Sequence, residues 1–319
     1  MCNKLDLKNW KILYELDVNA RQSNSAIAKK VGLSKHSIAY RIKQLEEKGI
    51  IKGYYTIIDF YKLGFLSFRV YIKLMNASLD IENKIINFLN NRNEVNYVAK
   101  IRGIFDINFG TIVKNIYEFE SFYLNFKRLF NKYIENEQIS IFTKVHHFNR
   151  PYFLNKKEDT EEPRYYGGKE ILKIDKKDIN ILKCLSKNAK ISIIDIADKL
   201  KIPERTIVYR IRQLENKKVI QGYRALFDLK PLGYTIYRLD LSLEKISDLD
   251  LFIQFAKAHP NITYLSQGIG CADVELEIEV KNELEFEKLL EQIREKFPEI
   301  KYYNYFTFKK YYKEIYFPQ

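Results

Sequence analysis

The histidines are the residues of this sequence that first suggest metal binding or acid–base chemistry, and there are only 4 of them. His146 and His147 are adjacent, and neighbouring residues of a β-strand point to opposite faces of the sheet, so this pair cannot hold one metal ion. His259 precedes a proline at the end of a predicted helix, with no acidic or thiol side chain near it in the sequence. We therefore expect structural roles for these histidines and predict no metal site.

Two groups of carboxylates are the other candidates for chemistry. Glu275, Glu277 and Glu279 alternate along a predicted strand and share one face, which we expect to be a solvated outer face instead of a metal site. Asp106 and Asp273 lie in glycine-containing loops, where each could anchor the ammonium group of a ligand or cap the turn before a strand. From these patterns we predict no catalytic residue and no cofactor.

A short basic segment occurs twice in the chain, at residues 34–45 and, in altered form, at residues 203–214. In the first copy Ile38, Ile42 and Leu45 are spaced i, i+4 and i+7, which predicts a helix with one apolar face. A serine precedes this helix as an N-cap, and basic side chains occupy its other faces. A basic helix held by its apolar side is typical of an element that lies in the major groove of DNA, although solvated structural helices share these properties.

We predict that both copies of this helix contact DNA. Basic side chains would bind phosphates, which adds affinity and salt dependence but no sequence information. The expected phosphate contacts are Arg41, Lys43, Arg210 and Arg212. The first residues of each helix would meet base edges, and they differ between the copies, so a quasi-palindromic duplex with unlike half-sites is the expected partner. All predicted DNA-binding residues are Ser34, Lys35, His36, Ser37, Tyr40, Arg41, Lys43, Glu204, Arg205, Thr206, Tyr209, Arg210 and Arg212.

Two of these residue types have more specific expected roles. Arg205 is expected to make a bidentate contact to guanine, a pairing that gives about 1–3 kcal/mol of discrimination against other bases. Tyr40 and Tyr209 are expected to pack against neighbouring elements and not to read bases.

The charge distribution agrees with an anionic partner. The 319 residues carry a formal net charge of +13 and the isoelectric point is about 9.3. An AT-rich genome would also produce a lysine-rich chain, but such a bias would be uniform along the sequence. Instead the positive charge is densest in residues 1–60 and 171–229, which contain the two basic helices, whereas residues 230–319 are net acidic.

Cysteines and apolar runs limit the class of protein. The 3 cysteines, Cys2, Cys184 and Cys271, are isolated and lack the paired spacing of zinc sites or disulfides, which fits a reducing compartment. No stretch approaches the roughly 20 apolar residues that span a membrane. We expect a cytoplasmic protein without membrane contact.

An internal duplication organises the chain. Residue pairs match at a constant offset of 169 positions, from Leu5 and Ile174 at the start to Gly64 and Gly233 later on. Each copy begins with three predicted short helices arranged as a helix-turn-helix, followed by a wing hairpin or linking strand. The second copy has Lys201 for Gly32 and Lys218 for Gly49. If these positions keep a positive φ, each lysine costs about 1 kcal/mol, so we expect the second unit to be less stable.

The remainder of each copy predicts a βαββαβ, or ferredoxin-like, domain. One face of such a sheet is covered by its two helices, and the aromatic-rich opposite face requires a partner. The predicted class is therefore α+β, with two winged helix-turn-helix domains alternating with two ferredoxin-like domains as an internal pseudo-dimer. The predicted domains are 1–60 and 171–229 (helix-turn-helix), 61–150 and 230–319 (ferredoxin-like), and 151–170 as an exposed linker.

Taken together, these residues resemble the Lrp/AsnC family of bacterial and archaeal transcription regulators. The resemblance is carried by Leu5-Asp6, Ile12-Leu13, Asn19-Ala20-Arg21, Ile27-Ala28, Gly32-Leu33-Ser34, Arg41-Ile42, Leu45-Glu46, Gly49-Ile50-Ile51, Gly53-Tyr54, Leu63-Gly64 and the loop from Gly103 to Asp106. It implies that the two sheet domains pack on each other within one chain. It also implies an amino-acid effector near the Gly-x-x-Asp loops, which here contain Gly103, Asp106, Gly270 and Asp273.

The leading hypothesis is a sequence-specific, DNA-binding transcription regulator that is tuned by an amino acid or a similar effector and that is not an enzyme. Two alternatives remain open at this point. Siroheme decarboxylases are similar in fold and pair two such units, but they need histidines and arginines to hold an acid-rich tetrapyrrole. A low-specificity DNA-organising protein, which self-associates further, is the other alternative.

Overall fold

The computed structural model of the chain describes residues 5–156, 162–245 and 249–318. The first unit contains α1 (Leu7–Val18), α2 (Asn24–Val31), α3 (Lys35–Glu47), β1 (Ile51–Ile58), β2 (Leu66–Leu74), α4 (Leu79–Asn90), β3 (Val95–Arg102), β4 (Ile107–Val113), α5 (Ile116–Phe130) and β5 (Ile134–His147). The short strand β6 (Arg164–Gly167) follows. The second unit contains α6 (Lys176–Lys187), α7 (Ile193–Leu200), α8 (Glu204–Asn216), β7 (Ile220–Phe227), β8 (Thr235–Leu243), α9 (Leu249–Ala258), β9 (Ile262–Ile269), β10 (Val274–Val280), α10 (Glu283–Lys296) and β11 (Ile300–Glu314).

The first three helices of each unit form the predicted helix-turn-helix. In unit one the side chains of Ser23 and Ser34 cap α2 and α3 by accepting hydrogen bonds from backbone N–H groups three residues later. The apolar side chains expected on the inner faces, including Ile12, Ile27 and Ile38, are fully buried. Local capping and 3.6-residue periodicity therefore account for these elements.

The second unit keeps the same turns without the residues that favour them. Lys201 and Lys218 have φ angles of 55° and 54°, so both lysines adopt the left-handed conformation of Gly32 and Gly49. Pro203 precedes α8 and provides no side-chain cap. The predicted backbone strain of the second unit is thus present at both positions.

The strand that follows each helix-turn-helix is a linking strand, not half of a wing hairpin. β1 pairs with β7 of the other unit in an antiparallel two-stranded ribbon, with Thr56 opposite Tyr223. The turn after α1 also reaches across, since the N–H of Ala20 donates to the carbonyl oxygen of Tyr223 at 2.9 Å. The equivalent bond in the other direction joins Ala189 and Tyr54, also at 2.9 Å. This ribbon holds the two helix-turn-helix domains together.

The two ferredoxin-like sheets join edge to edge and close into an eight-stranded barrel. The hydrogen-bonded order is β2-β4-β3-β11-β8-β10-β9-β5, and β5 also pairs with β2, which completes the ring, while β6 lies on the edge of β5. The expected bare sheet faces therefore become the inside of a barrel. The α+β class and the internal pseudo-dimer are as predicted, but the halves meet through their strand edges.

Two long strands make this closure possible. The first part of β5 pairs with β2 of its own half, and its last part pairs with β9 of the other half. β11 does the same with β8 and β3. Both strands are longer than the pattern predicted, which was 139–148 for β5 and 300–308 for β11. The extra residues of β11 form most of the β3–β11 seam, whereas those of β5 pair with β2, and the β5–β9 seam lies within the predicted strand.

Glycines lie where the seams are tightest. A Cβ on Gly270, whose φ is +129°, would lie 2.3 Å from the carbonyl oxygen of Ile139 on β5. A Cβ on Gly103 would lie 2.7 Å from the Cβ of Phe306 on β11. Such distances exclude any side chain unless the strands move apart, so both glycines are required for the close approach of the two halves.

Helices cover the outside of the barrel, and the predicted linker turns inward. The aromatic residues of α5, among them Phe119 and Phe126, are buried against the sheet. By contrast, Tyr152 and Phe153 in the segment expected to be exposed are buried, and β6 belongs to the sheet. Within the described residues, no helix is long and apolar enough to cross a membrane. The proposed domain boundaries remain a prediction.

The strained lysines generate a stability prediction. Lys218→Gly and Lys201→Gly are each expected to raise the free energy of unfolding by about 1 kcal/mol, because glycine adopts positive φ without a steric cost. Gly49→Lys should lower it by a similar amount, since a Cβ at this position meets no atom within 4 Å and only the backbone term changes. Chemical denaturation measures these differences. Lys217→Gly is the matched control because Lys217 has a φ of −75°, and equal stabilisation by this variant would refute the explanation.

The seam generates a second prediction. Gly270→Ala is expected to lower the free energy of unfolding by about 2–5 kcal/mol, through backbone strain and overpacking together. Gly168→Ala is the control, because Gly168 also has a positive φ, +108°, but has open space around it. Hydrogen exchange should show faster exchange in β5 and β9 for Gly270→Ala only. Equal effects of the two variants would contradict a steric role at the seam.

Candidate nucleic-acid interface

The recognition helices α3 and α8 present polar outer faces and bury their apolar sides. Ile38, Ile42 and Leu45 are buried in unit one, and Ile207, Ile211 and Leu214 occupy the same positions in unit two. Most predicted DNA-binding residues are exposed: Ser34, Lys35, His36, Tyr40, Lys43, Glu204, Arg205, Tyr209 and Arg212. Ser37, Thr206, Arg41 and Arg210 are half-buried.

The two tyrosines were expected to pack, and the structure contradicts that expectation. Tyr40 and Tyr209 are 65% and 61% exposed, respectively. Each lies on the outer face of its helix, because its position falls between the buried isoleucines and leucine of the apolar face. A tyrosine presented in this way can stack or donate a hydrogen bond to a partner.

Arg41 and Arg210 have intramolecular partners. Nη1 of Arg41 donates to the carboxylate of Asp6 at 2.8 Å, and Nη1 of Arg210 donates to Asp175 at 2.8 Å. Each aspartate caps the first helix of its own unit. These arginines therefore hold the recognition helix against α1 or α6, and this geometry gives no support to the phosphate contacts predicted for them.

The β1–β7 ribbon links the recognition helices of the two units. Each ribbon tyrosine donates a hydrogen bond to a glutamate of its own recognition helix, and a cation of the other unit covers its ring. The residues are Tyr54, Glu46 and Lys190 at one end and Tyr223, Glu215 and Arg21 at the other. The hydrogen bonds are 2.5 and 2.6 Å long, and the cations lie 4.4 and 5.3 Å from the ring centroids. Pairwise contacts of this kind fix one DNA-reading unit relative to the other.

A buried ionic cluster fastens the first helix-turn-helix to the barrel. Asp17 of α1 accepts hydrogen bonds from Nη1 of Arg150 at 2.6 Å and from Nη2 of Arg224 at 2.5 Å. Arg150 also donates to both carboxylate oxygens of Glu279 on β10, at 2.8 and 2.7 Å. Asp17, Arg224 and Glu279 are fully buried. Burial alone would raise the pKa of Asp17, but Arg224 and Arg150 outweigh it and lower the pKa below its ordinary value.

The second unit lacks this cluster. The residues that correspond to Asp17 and Glu279 across the duplication are Ser186 and Ile112, which carry no charge. The attachment of the helix-turn-helix domains to the barrel is thus chemically different in the two units.

The alternating glutamates of β10 line the inside of the barrel, so their expected position on a solvated outer face is wrong. Glu275 and Glu279 are 1% and 0% exposed. Glu275 pairs with Arg69 at 3.3 Å and with Arg238 at 3.2 Å, and Glu277 pairs with Arg238 at 3.1 Å. Closure of the sheet turned this strand face inward. The arginines come from other strands, so only an alternating charge pattern on β2 and β8 could have indicated the cluster.

The loop residues predicted to bind a ligand have structural roles. Oδ2 of Asp106 accepts a hydrogen bond from the N–H of Leu74 at 2.9 Å, and Oδ2 of Asp273 accepts one from Leu243 at 2.8 Å. Both aspartates therefore cap the adjacent strand, which was one of the two roles considered. The loop glycines lie at the barrel seams, as described above. An effector site at these loops stays a prediction without geometric support.

The adjacent histidines face opposite sides, as expected. His146 is half-buried, and its Nε2 lies 3.3 Å from Nε2 of Gln267. His147 is 2% exposed and lies between the rings of Tyr166 and Tyr264, with centroids 5.1 and 4.3 Å away. Burial and the nearby Arg224 lower the pKa of His147 well below its usual range, so its ring is neutral.

Comparisons with known proteins agree with the helix-turn-helix assignment. The family described as winged helix-turn-helix DNA-binding matches residues 5–52 and 174–221. The regulator LrpB of Bacillus subtilis is 32% identical over 101 residues, which are 31% of this chain and 66% of that protein. An uncharacterized HTH-type transcriptional regulator of Pyrococcus furiosus is 31% identical over 126 residues, or 39% of this chain and 79% of that protein. Each alignment covers about one of the two repeated units.

Two solved structures share the fold of the whole tandem chain. The siroheme decarboxylase NirDL matches with a TM-score of 0.61 and 15% identity, covering 98% of this chain and 94% of NirDL. Its complex with an iron-uroporphyrin III analogue matches equally well, with 14% identity. The prediction that this chain is not an enzyme is contradicted by these matches, because the same tandem architecture belongs to an enzyme. At this identity the likeness concerns the fold alone.

The buried cluster generates a stability prediction. Asp17→Asn is expected to lower the free energy of unfolding by about 3–5 kcal/mol, because it leaves buried arginine charge without its anion. Asp6→Asn is the control, since that carboxylate is half exposed and asparagine also caps helices, so its cost should stay below about 1 kcal/mol.

The same cluster predicts a pH dependence. Because the pKa of Asp17 is lowered from 3.8 in the folded protein, its contribution to stability is present above that value and is lost as the pH falls through the folded pKa. The difference between wild type and Asp17→Asn should be constant near neutral pH and shrink below about pH 4. Urea denaturation at several pH values measures it, and a difference that grows in acid would contradict the assignment.

Proposed function

The chain belongs to the Lrp/AsnC family of helix-turn-helix transcription regulators, and on this premise we propose how it reads DNA. The observation that carries the proposal is the pair of exposed recognition helices held across the β1–β7 ribbon. Because the ribbon is intramolecular, both helices meet one duplex as a preassembled pair. A single chain therefore presents both recognition helices, and no second subunit is required to form this pair of helices.

Phosphate binding falls to a smaller set of side chains than the sequence suggested. Lys35, Lys43, Arg205 and Arg212 are exposed on or beside the recognition helices. Arg41 and Arg210 are occupied by aspartates and act by positioning the helices. The high positive charge of both helix-turn-helix segments supports strong salt dependence of binding.

The two half-sites of the target should have different sequences. Lys35, His36 and Ser37 begin α3, whereas Glu204, Arg205 and Thr206 begin α8. Side chains at the start of a recognition helix are those that reach base edges. Arg205 is suited to guanine, and Glu204 can accept a hydrogen bond from cytosine N4. Each half of the chain would thus select its own bases.

A small effector and a cytoplasmic location belong to this proposal as well. The family resemblance supports an amino acid or a similar molecule as the effector. The isolated cysteines fit a reducing compartment and so support the cytoplasmic location. Further self-association of the tandem chains is part of the same expectation.

A tetrapyrrole enzyme is the second candidate function, and one observation favours it. The fold of the whole chain matches that of a siroheme decarboxylase, whereas the regulators align with about one unit. Four histidines are available in the chain. His147, which is buried and neutral beside several arginines, is the first candidate residue for tetrapyrrole chemistry.

DNA selection tests the leading proposal. Selection from a random pool is expected to recover one site with two unlike half-sites. Arg205→Ala should relax the preference in one half-site only, losing about 1–3 kcal/mol of discrimination there. Arg212→Ala should weaken all sites alike and reduce the salt slope by about one.

Arg128→Ala is the control for loss of charge, because Arg128 is exposed on α5 outside the barrel. It should change neither specificity nor salt slope. Two identical inverted half-sites would refute the unlike half-sites, and equal affinity for random DNA would support a DNA-organising protein instead.

Absorbance spectroscopy tests the second candidate. If the chain is a tetrapyrrole enzyme, adding an iron tetrapyrrole with acidic side chains should give a shifted Soret band, and His147→Phe should reduce that shift. A spectrum equal to the sum of protein and free tetrapyrrole would exclude the second candidate under these conditions.

A further inference from the structure

An aspartate and a glutamate lie side by side inside the barrel. Asp240 of β8 is directly opposite Glu275 of β10 in the antiparallel ladder, so both side chains are on the inner face of the sheet. Asp240 is 8% exposed and Glu275 is 1% exposed. The Cβ atoms of directly opposite residues are about 4.5–5.5 Å apart, which brings two carboxyl groups within reach of one hydrogen bond. Two buried carboxylates at such a separation repel each other unless one of them is protonated.

The two oxygens of Glu275 have very different surroundings. Oε2 accepts hydrogen bonds from the hydroxyl of Tyr71 at 2.9 Å, from Nη1 of Arg69 at 3.3 Å and from Nη1 of Arg238 at 3.2 Å. Oε1 is buried and has no partner among the described residues. Three donors from both halves of the barrel therefore hold one oxygen, and the other oxygen is left for a further donor.

Asp240 also has a buried oxygen without a partner. No described residue donates a hydrogen bond to its Oδ1. Buried polar atoms are almost always hydrogen-bonded, because an unpaired one is costly. Two carboxylates cannot donate to each other, whereas a carboxylic acid donates one O–H. A single proton between Asp240 and Glu275 would thus give both unpartnered oxygens a hydrogen bond.

The charges around the pair balance only if Asp240 is neutral. Arg69 and Arg238 form the ion pairs here, and their carboxylate partners are Glu275 and Glu277. These four charges cancel, so an ionised Asp240 would add a buried negative charge without its own cation. Burial and the charge of Glu275 raise the pKa of Asp240 well above its ordinary value, and the two arginines oppose this only in part.

The other strands around the pair bring neutral side chains, as far as the structure describes the chain. The residues directly opposite the pair, or opposite Tyr71 and Arg69, are Asn304 on β11, Ser266 on β9, Asn108 on β4 and Ser140 on β5. The loop after β9 brings Cys271, and burial raises the pKa of its thiol to about 11. β3 brings Tyr97 beside Arg69, and burial raises the pKa of this tyrosine too. None of these groups is a cation at neutral pH, so none of them replaces a proton.

We propose that Asp240 is protonated at neutral pH and shares its proton with Glu275, as part of the connection between the two halves of the barrel. The O–H of Asp240 donates to Oε1 of Glu275, while Arg69 and Tyr71 of the first half hold Oε2. Loss of the proton leaves two like charges facing each other across β8 and β10. The pair therefore contributes less to stability as the pH rises, which is the opposite of the Asp17 cluster. This site does not rest on the proposed function.

Infrared spectroscopy of the full chain at about pH 8 tests the proton directly. A protonated carboxyl group has a C=O stretching band that carboxylates lack, and exposed carboxyl groups are ionised at this pH. Wild type is expected to show such a band, and Asp240→Asn should lose the intensity of one carboxyl group. The difference between the two spectra is measured because burial also raises the pKa of Glu277. Asp59→Asn is the matched control, since Asp59 is 1% exposed but its pKa is raised only to about 6, so no band should be lost.

Glu275→Gln tests whether the neighbouring charge holds the proton. With this glutamate neutral, an ionised Asp240 and Glu277 balance the two arginines, so the same band should disappear. A wild-type spectrum without a protonated carboxyl band would overturn the proposal, and this measurement requires no variant. A band that persists unchanged in Asp240→Asn would also overturn it, as would a band that sodium ions remove, because a metal cation would then occupy the place of the proton.

Urea denaturation at several pH values tests the link to stability. Between about pH 4 and the raised pKa of Asp240, the folded wild type holds one proton more than the unfolded chain. The unfolding equilibrium constant of wild type, divided by that of Asp240→Asn, should therefore rise about tenfold per pH unit in this range. A ratio that stays constant, with the fold of the variant intact by circular dichroism, would overturn the proposal.

Discussion

Edge-to-edge pairing of strands at two seams is the interaction on which the rest of this structure depends. A ferredoxin-like sheet alone would leave one aromatic-rich face and two strand edges open. By extending β5 and β11 past their own halves, the chain pairs those edges and encloses those faces in one step. The interior ion pairs between the two halves exist because the barrel is closed. Gly103 and Gly270 are the residues that allow this approach.

The interior of this barrel is unusually polar, and its charges are balanced by residues from distant parts of the chain. Glu275 pairs with Arg69 from the first half and Arg238 from the second. Asp17 joins a helix of the first half to the segment after β5 and to β7. Such pairs add little net stability over an apolar core, but breaking one is costly, so they enforce one arrangement of the halves.

Local features of this fold were predictable from the sequence, and features that depend on distant partners were not. Ser34 indicated where α3 begins, and the constant offset indicated positive φ at Lys201 and Lys218. The closure of the barrel was missed because alternation along a strand shows that two faces exist, not which edges will pair.

The polar sites were predicted less well, for a related reason. Alternating glutamates suggest a solvated face unless their arginines, on other strands, are known to be beside them. Arg41 was assigned to phosphate because its aspartate partner lies 35 positions earlier in the sequence. The buried cluster of Asp17, Arg150, Arg224 and Glu279 could not be predicted at all, since its members come from α1, the segment after β5, β7 and β10.

The intramolecular ribbon has a consequence for how the protein responds to its own abundance. A regulator made of separate subunits splits on dilution, and the amount of paired protein then falls with the square of the subunit concentration. Here the covalent link keeps the local concentration of one half around the other constant. Occupancy of a target therefore rises in simple proportion to the number of chains in a cell, without a threshold, and even a few copies are fully assembled.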